Sequence, residues 1–328
     1  MKAVVLGSGA WGTALAMQLC RAGQQAVLWN RDPEKAARMR RRRTNPRLPG
    51  ASLPRELEIT ADLDCLRGAE LAVVAVPSYA VRETAAAIRD RLSPGTVLAS
   101  AAKGVEPETC LRMTQVIAGE LGEGYPLAAL SGPSHAEEVA VGMPTGCVAA
   151  AEDPAAALML QRAFTSPVFR VYTSRDVTGT ELCGAVKNVV ALGCGVAEGL
   201  GYGDNTRALL ITRALPEAGL LVTRAGGSSS TCAGLAGVGD LIVTCTSRHS
   251  RNRKAGLLLG QGMAVQEALT AVGAVVEGYY AADSVRALAE RLGVSMPICG
   301  CVYDLLYRDF PARECMSRLM GRELKSEF

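Results

Sequence analysis

Histidine is nearly missing from this chain, with two among 328 residues. A His/Cys metal centre therefore has little to draw on, and no metal is expected. Aromatic residues make up only 4% of the chain, which removes the stacking platform that single-stranded nucleic acid uses. Cysteine is plentiful at 11, yet the nearest pair, Cys299 and Cys301, lacks the C-x-x-C spacing of a redox or zinc motif. An odd number of scattered thiols suits a reducing compartment. The chain does not open on a basic segment followed by an apolar run and a cleavage site. No apolar stretch reaches membrane-spanning length without a polar or glycine interruption. These absences predict a cytoplasmic protein with no integral membrane segment.

Charge excludes little more. The net charge is +3, and the run Arg38–Arg43 (RMRRRR) carries much of it. Without interleaved aromatics that run reads as a solvated helix, so no nucleic-acid partner is expected. Hydrophobic residues are 49% and charged ones 20%, a globular composition with room at this length for two domains.

What is present begins at the first strand. Ala3–Leu6 is apolar, Gly7-Ser8-Gly9-Ala10-Trp11-Gly12 follows at once, and Thr13–Arg21 reads as a helix. G-x-G-x-x-G between strand and helix is the dinucleotide-binding arrangement. Gly7 permits the turn, Gly9 lets backbone approach a pyrophosphate, and Gly12 allows helix and strand to pack closely. The phosphates would take the free amides at the helix start. A second strand, Gln25–Trp29, ends at Asn30-Arg31-Asp32. Asparagine does not repel a 2′-phosphate and Arg31 can pair with one, so the site leans to NADPH, with NADH still possible through Asp32.

The alternation of strand and helix continues. Leu71–Val76, Val97–Ala101 and Leu127–Leu130 are near-continuous apolar runs, as expected of parallel strands covered on both faces. They end at Pro77-Ser78, Lys103-Gly104 and Ser131-Gly132-Pro133-Ser134-His135, where open α/β sheets bind ligands. Lys103 would bring a cation to that edge, whereas His135 reads more simply as a residue that caps or packs. Gly146–Ala150 and Val168–Thr173 finish the sheet in either sense, with a helix Pro154–Phe164 between them. The fold expected is a Rossmann-like domain over residues 1–178, followed by an all-helical domain over 179–328.

The segment Gly179–Glu198 stands at that junction and reads as a helix buried on most sides. Gly184, Lys187, Asn188, Ala191 and Gly195 fall on or near one face at helical spacing. That face is bare of bulk, with room for something to sit against it. A buried lysine must find an anion or lose its proton easily. Asp240, which follows a small-residue stretch, is the natural partner. Thr206–Val222 is a further helix, with Asp204 or Asn205 as its cap. Ser250-Arg251-Asn252-Arg253-Lys254 precedes an apolar run, and a guanidinium, an amide and a helix start together suit a phosphate. Glu277-Gly278 is a polar interruption among stabilising helices.

These parts suggest hydride transfer between a nicotinamide and a carbonyl carbon, with Lys187 moving the oxygen's proton and Asp240 holding it. Lys103 would stabilise charge on that oxygen. The arginine cluster would orient a small phosphorylated keto-alcohol.

Taken in order, the chain closely resembles the bacterial NAD(P)-dependent glycerol-3-phosphate dehydrogenases. The resemblance rests on GSGAWGTALA (7–16), KG (103–104), SGPSHAEEVA (131–140), the helix around Lys187-Asn188 and GDNTRALLITRAL (203–215). It continues through GLAGVGDLIVTC (234–245), SRNR (250–253) and VEG (276–278). It implies reduction of dihydroxyacetone phosphate to sn-glycerol 3-phosphate for phospholipid synthesis, with Lys187 as proton donor and acceptor. Lys103, Gly132, Ser134, Lys187, Asp240, Ser250, Arg251 and Asn252 would line the substrate. Ala10, Trp11, Arg31, Lys103, Ala136, Arg251, Val275 and Glu277 would contact NADP or NAD. It further implies a homodimer and inhibition by product. Two departures stand out: His135, where the family commonly has an aromatic, and the RMRRRR run, which the family does not require. Two other readings stay open. One is a dehydrogenase of the same architecture acting on a β-hydroxyacid or a 6-phosphogluconate-like substrate. The other is a nucleotide-sensing protein without the chemistry, against which Lys187, Asp240 and Arg251-Asn252 together weigh.

Overall fold

The apolar runs of the first half build one eight-stranded sheet. A computed structural model describes residues 1–324, 326 and 327. Its first part runs β1 (Lys2–Leu6), α1 (Ala10–Arg21), β2 (Gln25–Trp29), α2 (Pro33–Arg42), β3 (Glu58–Thr60), β4 (Leu71–Val74) and α3 (Val81–Ile88). It continues with β5 (Val97–Ser100), α4 (Met113–Leu121), β6 (Leu127–Ser131), α5 (Ala136–Ala140), β7 (Thr145–Ala150), α6 (Pro154–Phe164) and β8 (Phe169–Ser174). The strand order is β3-β2-β1-β4-β5-β6-β7-β8. All neighbours are parallel except β6 and β7, where the direction reverses, and β8 then runs parallel to β7.

Side chains on alternate strand positions enter different cores, as a period of two requires. Ala3 and Val5 pack with Leu15 and Leu19 of α1, while Val4 and Leu6 pack with Val81 of α3 and Ile117 of α4. Both faces are covered, which is why β4 and β5 carry no polar alternation. A fully buried Val or Leu here contributes roughly 1.5–3 kcal/mol. Every strand anticipated from sequence is present, with ends moved by one or two residues. The three-residue β3 was not anticipated, being too short to show a pattern.

The second part is helical. It holds α7 (Val177–Gly199), α8 (Asp204–Arg224), α9 (Asp240–Thr246), α10 (Arg251–Gly260), α11 (Val265–Val272), α12 (Glu277–Arg291), α13 (Pro297–Tyr307) and α14 (Ala312–Met320). Asp176 caps α7 by accepting the Gly179 N–H at 2.8 Å. At 23 residues α7 is long and apolar enough to cross a membrane, but it lies inside the protein as the core helix of this half. The cap expected for α8 is corrected: Gly203 holds the cap position, while Asp204 and Asn205 are already helical.

The bare face of α7 is also corrected, because the protein itself fills it. A Cβ on Gly195 would lie 2.1 Å from the Arg253 carbonyl, and one on Gly199 2.3 Å from that of Leu257. In return, a Cβ on Gly256 of α10 would lie 2.0 Å from the Leu192 carbonyl, and one on Gly260 2.3 Å from that of Val196. Helices α7 and α10 therefore meet backbone to backbone. Nearer the sheet, a Cβ on Gly184 would meet Ser131 Oγ at 3.3 Å and Lys103 Cγ at 3.5 Å.

Candidate active site

The glycine turn after β1 takes the form its spacing requires. Gly7 has φ +112°, and a Cβ there would fall 2.8 Å from the Ala75 carbonyl. A Cβ on Gly12 would sit 1.9 Å from the Gly7 carbonyl, so α1 can lie against the turn only with hydrogen at that position. A Cβ on Gly9 would meet nothing within 4 Å. The turn therefore opens on free space in front of the first amides of α1, a fit for a pyrophosphate. Ala10 and Trp11 are the first residues of that helix. The indole Nε1 of Trp11 is buried without a hydrogen-bond partner among the described residues.

At the end of β2, Asp32 is spent on capping α2. Its Oδ1 accepts the amides of Glu34 and Lys35 at 3.1 and 3.0 Å, and its Oδ2 pairs with Lys35 Nζ at 2.9 Å. Arg31 is exposed and has no partner among the described residues. The carboxylate at this strand end is thus engaged within α2, whereas the arginine beside it makes no such contact among the described residues.

Strand ends and helices converge on one carboxylate. Asp240, 1% exposed at the start of α9, accepts Lys187 Nζ on Oδ1 at 2.8 Å and Lys103 Nζ on Oδ2 at 2.6 Å. The pairing with Lys187 follows the sequence expectation; Lys103, 137 residues away, is a second partner that spacing did not reveal. Burial alone would raise the Asp240 pKa, but the two ammonium groups outweigh it and hold the carboxylate below its ordinary value. Burial is also the largest influence on Lys187 and lowers its pKa to about 8, with Asp240 opposing the shift and Lys103 adding to it.

Each lysine spends two of its three N–H bonds on the protein. Lys187 donates its second to Thr244 Oγ1 at 2.9 Å, and Thr244 in turn donates to the Asp240 carbonyl at 2.6 Å. Thr244 was missed in sequence, although its place four residues after Asp240 puts both on one face of α9. Lys103 donates its second to the Gly132 carbonyl at 3.0 Å and stands 6.0 Å from the Trp11 ring centroid. One carboxylate between two ammonium groups leaves a net positive site with one proton on each lysine unassigned. Such a site suits an oxygen that gains negative charge.

The other expected residues divide. Gly132 has φ +148°, and a Cβ there would meet Cys147 Cα at 2.9 Å. Ser134 Oγ donates to the Gly132 carbonyl at 2.9 Å. Ala136 is the buried first residue of α5, and Val275 is half-buried in the turn before α12. Glu277 opens α12 and accepts Ser78 Oγ at 2.7 Å, so the polar interruption near residue 277 reaches the end of β4. Burial raises its pKa. His135 packs without capping α5: its Nε2 lies 3.3 Å from the Val243 carbonyl, and its ring is 5.9 Å from that of His249.

The side chains of the arginine cluster point in different directions. Arg251 is exposed at the first position of α10. Ser250 caps that helix by accepting the Arg253 N–H at 3.2 Å. The side chain of Asn252 turns inward, donating to Asn188 Oδ1 at 2.8 Å and accepting the Gly278 N–H at 2.9 Å. What Asn252 can offer a ligand is its backbone amide in the unpaired first turn. Arg253 pairs with Glu198 at 2.6 Å, away from the cluster. Among the described residues, no group of three or more His, Cys, Asp or Glu could hold a metal ion. All eleven cysteines are free.

The chain is similar to known proteins over nearly its whole length. Residues 2–157 match the family described as the NAD-dependent glycerol-3-phosphate dehydrogenase N-terminus, and residues 176–317 match the corresponding C-terminus. A glycerol-3-phosphate dehydrogenase (NAD(P)+) from Moorella thermoacetica is 49% identical over 321 residues, covering 97% of this chain and 95% of the relative. The crystal structure of a glycerol-3-phosphate dehydrogenase from Coxiella burnetii superposes with a TM-score of 0.94 at 39% identity, covering 98% of this chain and 99% of that one. A glycerol-3-phosphate dehydrogenase from Saccharomyces cerevisiae follows at 0.83 and 28%, covering 97% and 98%.

Proposed function

The chain belongs to the NAD-dependent glycerol-3-phosphate dehydrogenase family, and on that premise we propose how its own residues carry the reaction. It interconverts dihydroxyacetone phosphate and sn-glycerol 3-phosphate with NAD(P). The nicotinamide supplies or accepts the hydride when bound. The glycine turn and the first amides of α1 hold the pyrophosphate, with Trp11, Ala136, Val275 and Glu277 around the rest of the dinucleotide.

The observation that carries the reading is the Lys103–Asp240–Lys187 triad. Lys187 gives its proton to the carbonyl oxygen during reduction and takes one back during oxidation. Its lowered pKa of about 8 puts that exchange within reach of neutral pH. Asp240 keeps the ammonium in place, and Lys103 faces the developing oxyanion. Gly132, Ser134 and Ser250 border the substrate, while Arg251 and the first amides of α10, including that of Asn252, hold its phosphate. Arg31, without a partner among the described residues, and Asp32, engaged in capping α2, favour NADPH over NADH. We assign residues 1–178 to the dinucleotide half and 179–328 to the half that completes the site. Supply of glycerol 3-phosphate to phospholipid synthesis, a cytoplasmic location consistent with eleven free thiols, and a homodimer complete the proposal.

The test is oxidation of NADPH and of NADH on addition of dihydroxyacetone phosphate, by the native chain and by Lys187→Met. The native chain is expected to turn over, faster with NADPH, and the variant to lose about 10²–10⁴-fold in kcat while still binding NADPH. Wild-type turnover in Lys187→Met would remove the lysine from the proton transfer.

A further inference from the structure

One acid on the buried length of α7 has no part in the reaction described above. Glu181 is 5% exposed and sits six residues before Lys187. Its carboxylate accepts Thr114 N at 2.8 Å, Thr114 Oγ1 at 2.6 Å and Arg112 Nη1 at 2.6 Å. Arg112 and Thr114 stand at the start of α4. Glu181 thus caps the first turn of a sheet-side helix from the core helix of the other half, with an arginine to balance its charge.

Two turns further along α7, Asn188 donates its amide to the Lys103 carbonyl at 3.2 Å. Between the two lies Gly184, where the Lys103 stem passes. Positions 181, 184 and 188 share one helical face. That face therefore touches both ends of the segment 103–114, which leads from β5 to α4. Within the segment, Glu108 and Cys110 hold positive φ values of +66° and +58°. A loop holding two such residues needs outside support to keep one shape. Arg82 on Glu106 and Arg291 on the Thr109 carbonyl support its middle, and α7 supports its ends.

We infer that Glu181 is a positioning residue: by fixing Arg112 and Thr114 at the far end of the segment, it sets where the Lys103 ammonium stands against Asp240. The inference rests on the proposed role of Lys103 toward the substrate. Loss of the Glu181 carboxylate frees the start of α4, relaxes the strained loop, and lets Lys103 leave Asp240.

The test compares the full chain with Glu181→Ala and Glu181→Gln by two readouts. The first is steady-state reduction of dihydroxyacetone phosphate with NADPH. The second is the rate of Lys103 acetylation by an N-hydroxysuccinimide acetate in the cofactor-free protein, followed by peptide mass spectrometry with exposed Lys254 as internal control. In Glu181→Ala, kcat/KM for dihydroxyacetone phosphate is expected to fall ten- to a hundredfold. The KM for NADPH should move less than the KM for dihydroxyacetone phosphate, and Lys103 should label about tenfold faster against a constant Lys254. Glu181→Gln keeps an acceptor for the Thr114 amide and should recover to within about threefold of the native chain. The inference is overturned if Glu181→Ala labels Lys103 at the native rate. It is also overturned if the activity lost matches only a smaller folded fraction, with both KM values native. Should Glu181→Ala fail to fold, Glu181→Gln and Thr114→Val decide: faster Lys103 labelling in Thr114→Val supports the inference, and native labelling in both overturns it. If the native chain does not reduce dihydroxyacetone phosphate, the substrate reading fails while the labelling contrast still judges Glu181.

Discussion

The two halves of α7 are built on opposite principles. From Val177 to Asn188 the helix meets its surroundings through polar side chains: Glu181 on α4, Lys187 on Asp240, Asn188 on Lys103 and Asn252. From Val189 to Gly199 it meets α10 mainly through backbone, with Gly195 and Gly199 against that helix, although Glu198 at its end pairs with Arg253. In the first half, beside the apolar packing of Leu182 and Val186, each of these polar contacts is a directed bond that can change with protonation or with a ligand. In the second half the approach to α10 depends on the absence of a side chain at Gly195 and Gly199 and has no alternative arrangement. The same helix thus joins a reactive surface to a rigid mount.

The comparison is broken most severely from the mount. Gly195→Val puts a side chain where 2.1 Å separates a Cβ from the Arg253 carbonyl, and backbone cannot move aside as a flexible side chain does. The expected loss is several kcal/mol, seen as a collapse of the urea midpoint or a failure to fold. A wild-type midpoint would show that α7 and α10 do not meet as described.

The next effect comes from the reactive half and is a titration. With the Lys187 pKa lowered to about 8 by burial, kcat/KM for ketone reduction should be level below that pH and fall about tenfold per unit above it, as the acid is lost. Alcohol oxidation should rise through the same pH, since it needs the neutral amine. The sign for stability follows from the same shift. Between about 8 and the ordinary 10.5 the unfolded lysine still holds a proton that the folded one has released, so stability rises with pH across that window. Rate profiles in both directions and melting curves across pH 7–10 check it; a reduction rate level to pH 10 removes Lys187 as the acid.

The smallest effect sharpens the contrast between glycines. Gly184→Ala places its Cβ 3.3 Å from Ser131 Oγ and 3.5 Å from Lys103 Cγ, both on side chains able to shift a little. The strain is set against roughly 1 kcal/mol of gained helix propensity. Stability should stay within about 1 kcal/mol and activity within a few-fold; a collapse like that of Gly195→Val would erase the distinction between the halves.

Features carried by neighbouring residues were legible in the sequence. The turn at Gly7–Gly12 and the strand ends that feed the ligand edge each declare themselves within a few positions, because turn sterics and strand burial are local. Lys187 was legible for a related reason, as a lone cation in an apolar helix. Glu181 shows a similar signal, an acid on the buried length of that helix, but its partners on α4 lie 67 and 69 residues away and no local spacing points to them. Lys103 as a second partner of Asp240 and the inward turn of Asn252 depend on chain crossings that no spacing encodes. The bare face of α7 was read correctly as small, but small residues serve close backbone approach as well as ligands. Only the position of α10 shows which applies.

The reversal of direction between β6 and β7 has a mechanical consequence. Because β7 and β8 run against the first six strands, the chain leaves the sheet at Ser174, level with the middle of β6 rather than beyond its ligand end. Helix α7 starts there, reaches Ser131 at Gly184 after about 10 Å of rise, and carries Lys187 one turn further. Had the last strand run with the others, the chain would have emerged at the ligand edge. The lysine would then ride on a first helical turn, where amides lack partners and ends fray. The orientation of two strands thus decides that the reacting ammonium is carried at mid-span of a beam held along its length, and not on a cantilever's free tip.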